Sequence, residues 1–277
     1  MNVDFQLEYS SPILKDRYKI GLVITTYNRP RYLQRTLEAL QRSQLPETLL
    51  FIVDDGSDDL ETLKMIKDFS LPATPVVKAY RIHKTGCAMY ENLCYGWDLL
   101  LAEYGCCYLC NLDPDTVMKR PWLQTLRALH EQETESNAPV LVTGFNAYQH
   151  PILANNGNYY QKASLGGLNL FFDCVLYQTI VRPALVDIDW DWRVVRAMQE
   201  QDYRILCTRP SVIQHIGREG FWSGKSNVFD FAVDYGSANP FYTMISTLYF
   251  RGQRRGEKYL NSWKAKLSLL EMGGRLR

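Results

Sequence analysis

The sequence lacks a charge excess, paired cysteines, long apolar runs and the common nucleotide-loop signatures. Its 31 Lys and Arg almost balance 30 Asp and Glu, for a net charge of +1. No basic surplus of the kind that tracks nucleic acid is present. The cysteines number seven, an odd count. Cys107 and Cys110 form one CxxC on an expected strand, without a second pair or histidines at zinc spacing, so a zinc site is not expected. Free, buried thiols in a reducing, cytosolic compartment fit this usage. The longest apolar stretch, Trp97 to Leu112, is broken by Asp98 and Glu103 and falls short of the roughly 20 apolar residues a bilayer span needs. The first residues, MNVDFQLEYSSP, show neither a basic n-region nor an apolar h-region, so no signal peptide is expected there. There is no GxGxxG, which leaves a dinucleotide oxidoreductase unsupported. The run from Gly220 to Ser226 ends like a P-loop but is one residue short, and no buried strand leads into it. No internal repeat or low-complexity tract occurs.

What is present is a chain of 277 residues, 46% hydrophobic, enough for one sizeable core. Ile20 to Thr26 (IGLVITT) is a short continuous apolar run that ends in Tyr27-Asn28-Arg29-Pro30, as a buried parallel strand does. Pro30 suits a first helical turn, and Leu33, Leu37 and Leu40 then recur at helical spacing. Leu49 to Val53 is a second buried strand, followed by a helix near 59–69. Val76 to Tyr80 is a third strand, 89–103 a helix, Cys106 to Leu112 a fourth strand and 121–133 a helix. Further on, strands are expected at 140–148, 166–172, 204–207 and 212–216, a loop at 155–165 and a helix at 191–201. Alternating strands and helices imply βαβ units and a parallel sheet.

Polar residues fall just beyond three strands, at Asn28, at Asp54 and Asp55, and at Asp113 and Asp115. Ligands of open parallel sheets bind beyond the carboxyl ends of the strands, so these groups point to one crevice. Two carboxylates one residue apart, Asp113 and Asp115, suit a hard divalent cation such as Mg²⁺ or Mn²⁺ shared with substrate phosphates. Asp and Pro are also ordinary turn residues. In Val53-Asp54-Asp55-Gly56-Ser57, a carboxylate can accept from a uracil N–H or a ribose hydroxyl, or cap the following helix.

Taken together, Thr25-Thr26-Tyr27-Asn28-Arg29, Val53-Asp54-Asp55-Gly56-Ser57 and Asp113-x-Asp115 resemble the motifs of GT-A fold glycosyltransferases of the family 2 type. The spacings are also similar, about 30 residues between the first two and about 60 to the third. Gly86 and Asn92 resemble a short segment that family places between them, and the resemblance runs over roughly residues 19–216. It implies a GT-A (Rossmann-like) α/β fold, a mixed, mainly parallel sheet flanked by helices in a single main domain. The implied activity is metal-dependent, inverting transfer of a sugar from a nucleotide-sugar donor, UDP-sugar favoured, to a hydroxyl of a glycan or lipid-linked acceptor, in hexosyltransferase fashion and in glycan or surface polysaccharide synthesis. Nucleic acid is not an implied partner.

Residue by residue, the resemblance implies that Thr25, Tyr27 and Arg29 line the nucleotide pocket. Asp54 or Asp55 contacts the base or ribose, and Asp113 and Asp115 bind the metal. Asp189-Trp190-Asp191-Trp192 resembles the acidic motif that supplies the base of inverting members. Asp191, flanked by two tryptophans that can exclude water, is preferred over Asp189, because burial raises a carboxylate pKa as a base requires; N-capping of a helix by Asp is the competing use. His215 resembles a late histidine of the metal shell. Arg218, Trp222 and Lys225 resemble a loop over the donor diphosphate, and Gly167 a segment passing close to the donor sugar.

The resulting division is an N-terminal extension (1–18), a catalytic domain (19–250) with a nucleotide-sugar half (19–115) and an acceptor half (116–250), and a tail (251–277). The tail carries eight basic and two acidic residues, with Leu260, Trp263, Leu267 and Leu270 at helical spacing. Such an amphipathic stretch either docks on the domain or lies on an anionic membrane surface, which adds peripheral contact at the inner face of a membrane to a cytoplasmic expectation. Two rival readings remain. A nucleotidyltransferase would want a Gly-rich loop with a basic residue where Tyr27-Asn28-Arg29-Pro30 stands. A non-catalytic carbohydrate-binding or scaffold protein would not need the intact acidic motifs.

Overall fold

In the computed structural model, residues 5–83, 85, 88–134, 138–217, 230–236, 245, 248 and 252 are described. Twelve strands form, in chain order, β1 (Phe5–Tyr9), β2 (Ile20–Thr26), β3 (Thr48–Asp54), β4 (Val76–Arg81), β5 (Tyr108–Leu112), β6 (Thr116–Met118), β7 (Val140–Thr143), β8 (Ile152–Asn155), β9 (Tyr159–Lys162), β10 (Phe171–Asp173), β11 (Arg204–Thr208) and β12 (Ile213–His215). The helices are α1 (Pro30–Gln41), α2 (Leu60–Asp68), α3 (Met89–Ala102), α4 (Trp122–Thr134), α5 (Cys174–Leu176), α6 (Arg182–Ala184) and α7 (Trp190–Glu200). A π-helical turn, Tyr177–Val181, joins α5 to α6.

Ten strands make one sheet in the order β1-β4-β3-β2-β5-β10-β7-β11-β9-β8, and β12 and β6 make a separate pair. β4, β3, β2 and β5 run parallel, as does β11 with β7. β10 is antiparallel to both β5 and β7 and joins the two parallel blocks. This is the mixed, mainly parallel α/β sheet expected from the alternation of elements.

Every residue of β2 and β3 is buried, so their side chains supply two cores by simple alternation. Ile20, Leu22 and Ile24 join Leu50 and Ile52 on the face covered by α1, α2 and α4, where Leu33, Leu37, Ile66 and Trp122 pack. Val23, Leu49, Phe51 and Val53 point to the other face, covered by α3 and α7, where Trp97, Trp190, Val194 and Met198 pack. Covering both faces is what makes a parallel sheet read as unbroken apolar runs.

The structure departs from the sequence expectation in several places. Part of the N-terminal stretch, β1, is built into the sheet: it pairs antiparallel with β4, Phe5 opposite Arg81 and Tyr9 opposite Val77. The expected loop 155–165 contains half of a hairpin, β8 with β9, turning at Asn156 to Asn158. β8, at the sheet edge, is mostly exposed. The strands expected at 140–148 and 166–172 are shorter, since the chain leaves the sheet at Gly144 and enters it only at Phe171. Cys107 is exposed and Cys110 buried, and both are free. No described helix is long and apolar enough to cross a membrane. The tail, apart from Gly252, lies outside the described residues, as do Gly86, Arg218 and Trp222.

Candidate active site

The parallel strands β3, β2 and β5 lie side by side, with Thr26 opposite Asp54 and Ile24 opposite Leu112. Their carboxyl ends therefore release Tyr27, Asp55 and Asp113 at one edge of the sheet. After β2, Asn28 and Arg29 both take left-handed backbone angles, φ 51° and 63°, which turn the chain sharply into α1. Asn28 is fixed there by its neighbours across the crevice. Its backbone N–H donates to Ser57 Oγ at 2.7 Å, and its side-chain oxygen accepts the N–H groups of Asp58 and Asp59. Asp59 in turn caps α2, accepting from the Thr62 N–H at 2.7 Å. Thr25 is buried and Tyr27 half-buried beside this turn.

Asp54 and Asp55 end β3 with their carboxylates already occupied. Asp54 accepts from the N–H groups of Gly56 and Ser57, at 3.1 and 2.8 Å, and from the Ser57 hydroxyl at 2.5 Å. Burial still pushes its carboxyl above the usual range. Asp55 accepts from the Thr85 hydroxyl at 2.9 Å and pairs with Arg81 Nε at 3.1 Å. Asn92 accepts from the same guanidinium at 2.7 Å, and Glu91 completes its surroundings at 2.9 Å. Asn92 thus holds Arg81, which holds Asp55.

The Asp113-Pro114-Asp115 turn links β5 to β6. Thr36 of α1 grips it: its Oγ1 lies 2.8 Å from the Pro114 carbonyl and 2.9 Å from that of Thr116, and accepts the Thr116 N–H at 3.0 Å. Because β12 pairs with β6, His215 sits opposite Thr116. Its Nε2 is 3.3 Å from Asp115 Oδ2, while its Nδ1 lies 2.9 Å from the Asp230 carbonyl. Arg29 reaches the same Asp115 oxygen at 2.7 Å. Gly217 follows at close quarters: a Cβ there would fall 2.0 Å from Asp115 Oδ2, so no side chain fits beside this cluster.

The electrostatics divide the pair. Asp113 is held well above the carboxylate range, first by burial and then by the charge of Asp115, against the pull of His215 and Arg29. Its Oδ1 is buried and has no hydrogen-bond partner among the described residues. Burial would also raise Asp115, but the hydrogen bond and charge of His215, with Arg29, outweigh it and hold Asp115 below the usual range. His215 is pushed up to about 9, because its contacts with Asp115 overcome the opposing effect of burial. Burial and the neighbouring charge thus favour the protonated form of Asp113, and His215 and Arg29 favour the ionised form of Asp115.

Asp191 approaches from α7. Its Oδ2 accepts the Gly167 N–H at 3.0 Å and its Oδ1 the Trp192 N–H at 2.8 Å. Burial raises its pKa, and its charge contributes to the rise at Asp113. Gly167 is needed for this approach, since a Cβ there would lie 2.6 Å from the Trp190 ring and 3.3 Å from Asp191 Cβ. Asn111 of β5 donates to the Gly167 carbonyl at 2.7 Å, tying the Asp191 side of the crevice to the strand that ends in Asp113. Asp189 stands exposed at the start of α7. Trp190 is in the core and Trp192 is 46% exposed.

Asp113, Asp115, His215, Arg29, Gly167 and Asp191 therefore come together at one end of the sheet. The residues not anticipated are Thr36, Arg81 and Asn111. Thr36 and Asn111 left a signal: a hydroxyl on the apolar stripe of α1 and an amide inside the apolar run of β5. Arg81, at a strand end, left none. Among the described residues no group of three His, Cys, Asp or Glu side chains is arranged to hold a metal ion by itself. The donor set still suits one, because Asp113 keeps a buried carboxyl oxygen without a partner among those residues, beside an ionised Asp115, and hard cations take the rest of their shell from phosphates and water.

Three comparisons bear on this arrangement. "Glycosyltransferase GlyG" of Streptococcus pneumoniae serotype 4 is 25% identical over 141 residues, which cover 51% of this chain and 42% of that protein. The chain thus matches less than half the length of that relative. The crystal structure of S. aureus TarS superposes with a TM-score of 0.48 at 14% identity, over 74% of this chain and 38% of that one. The family model described as "Glycosyl transferase family 2" matches residues 22–188, the stretch that carries the β2, β3 and β5 turns, and the chain belongs to that family of glycosyltransferases.

Proposed function

We propose that the chain is a metal-dependent, inverting glycosyltransferase that moves a sugar from a UDP-sugar to a hydroxyl of a glycan or lipid-linked acceptor. The observation that carries this reading is the gathering of Asp113, Asp115, His215 and Asp191 from three separate stretches at the carboxyl end of the sheet. Asp113 and Asp115 would hold Mn²⁺ or Mg²⁺ with the donor phosphates, and His215 would join them on losing its proton. Such a cation, when bound, neutralises the charge that develops on a departing nucleoside diphosphate.

The chain's own residues supply the rest. Asp191, its pKa raised by burial, takes the proton of the attacking hydroxyl. Gly167 and Trp192 fix its carboxylate through their backbone N–H groups. Arg29, released from Asp115, offers a cation to the diphosphate. Thr25, Tyr27 and Asp55 line the nucleotide side. The acceptor class, a role in surface polysaccharide synthesis, and contact of the tail with a membrane belong to the same reading.

The test is a thermal-shift screen of UDP, GDP and their sugars with and without Mn²⁺. A nucleoside diphosphate should raise Tm only when the cation is present, since a ligand specific to the folded state stabilises by mass action. A shift that survives chelation overturns the metal role, and the absence of any shift across the panel overturns the donor class. The anomeric configuration of the product decides inversion.

A further inference from the structure

Beside Asp191 lies a second polar feature that the donor chemistry does not use. His150 is 5% exposed. Its Nδ1 lies 2.8 Å from Ser164 Oγ, while its Nε2 is buried and has no hydrogen-bond partner among the described residues. That nitrogen faces the hollow over Gly166: among the described residues, a Cβ built on Gly166 would meet His150 Nε2 at 3.5 Å and no other heavy atom within 4 Å. The hollow is bounded on one side by Gly167 and Asp191, whose carboxylate is hydrogen-bonded to the Gly167 N–H. On the other stands Trp192, 46% exposed, its ring centroid 5.8 Å from that of His150.

Two of these features are costly unless something occupies the hollow. An unpaired buried nitrogen carries a desolvation penalty, and a large exposed indole next to a carboxylate leaves apolar area in water. A pyranose answers both, because one face of the ring is apolar C–H surface and its rim is hydroxyl. A hydroxyl can donate or accept, so it satisfies Nε2 in either tautomer.

We infer that His150 and Trp192 form the acceptor subsite, Trp192 as the platform for the sugar face and His150 as the hydrogen-bond partner of a ring hydroxyl, which sets the attacking hydroxyl against Asp191. This rests on the transferase reading and deepens it. Burial, with the positive charge of Lys162, depresses His150 to about 4, so the imidazole is neutral at physiological pH. A neutral imidazole can donate to or accept from a sugar hydroxyl, according to its tautomer.

The test uses the full chain saturated with UDP and Mn²⁺, titrated with p-nitrophenyl α- and β-glycosides of glucose, galactose and N-acetylglucosamine and followed by saturation-transfer NMR. At least one glycoside should bind the wild type. Trp192→Ala should weaken it about tenfold and Trp192→Phe less, as expected for loss of a central aromatic anchor. His150→Ala should also weaken it, and His150→Gln should restore part of the loss. UDP affinity should stay within about twofold, a split that a general folding defect would not produce. Trp192 is exposed, so its variants keep the test valid even where His150 variants fold poorly. Unchanged glycoside binding in Trp192→Ala overturns the subsite, as does a wild type that binds UDP and none of the glycosides. Failure of the wild type to bind UDP instead removes the UDP-donor reading beneath it.

Discussion

Two acidic pairs stand at the ends of the parallel strands β3 and β5 on either side of β2, and they differ in how completely the protein itself satisfies them. Asp54 and Asp55 accept from turn N–H groups, from Ser57 and Thr85, and from Arg81. Asp115 is similarly engaged by Arg29 and His215, but its partner Asp113 keeps a buried oxygen with nothing to bond among the described residues. Buried polar groups are almost always paired. A saturated pair therefore reads as architecture that shapes the nucleotide side of the crevice, whereas an unsaturated pair reads as a place reserved for something that arrives later.

This comparison can be broken most severely at Asp113. Asp113→Ala should abolish the Mn²⁺-dependent rise in Tm caused by a nucleoside diphosphate, while leaving Tm in metal-free buffer at or above the wild-type value. A large fall in metal-free Tm would show that Asp113 is architecture after all. Next in size, Asp191→Asn should lower turnover by about 10² to 10⁴ with donor affinity retained; single-turnover assays would expose a variant that keeps its rate.

His150 extends the comparison to a second buried group with an unpaired atom. Its pKa is about 4 when folded, against about 6.5 unfolded. A depressed value means that the unfolded chain binds the proton more readily, so stability is present above pH 6.5 and is lost as pH falls toward 4. The loss amounts to roughly 3 kcal/mol at most, from 1.36 kcal/mol per pH unit across that window. His150→Gln should flatten the pH dependence of Tm between pH 6.5 and 4, and an unchanged slope would count against burial of a neutral imidazole. The smallest effect is expected at Asp54. Asp54→Ala strands two backbone donors and a hydroxyl, a cost of about 2 kcal/mol readable as a lower urea midpoint, with the Mn²⁺ dependence of donor binding intact.

Much of the fold was legible because buried parallel strands advertise themselves. Unbroken apolar runs at 20–26 and 49–53, each followed by polar turns, located β2 and β3 almost to the residue. The edges were harder. β1 carries Gln6 and Glu8 among its apolar residues and is paired by β4, a neighbour distant in sequence; β8 begins Ile152-Leu153-Ala154 but is mostly exposed at the sheet edge, so its apolar residues do not mark a core strand. Within the site, the acidic turn at 113–115 and the placement of Asp191 could be anticipated from strand ends and helix starts. That Asn92 is turned toward Arg81 and that Asp55 is held by Thr85 could not, because hydrogen-bond partners 11 and 30 residues away leave no local pattern, whereas the hold of Asp54 on Ser57, three residues on, is the local use the turn residues had offered.

The edge strand β1 has a thermodynamic consequence. Phe5 lies against the Arg81 guanidinium, which sits 5.3 Å from the ring centroid, and that guanidinium is the partner of Asp55. Occupancy at Asp55 and the fraying of the first strand are therefore linked equilibria, and linkage is reciprocal. A molecule that draws Asp55 away from Arg81 will be felt as faster amide exchange at residues 5–9, and whatever tightens that strand will alter how firmly Asp55 is held.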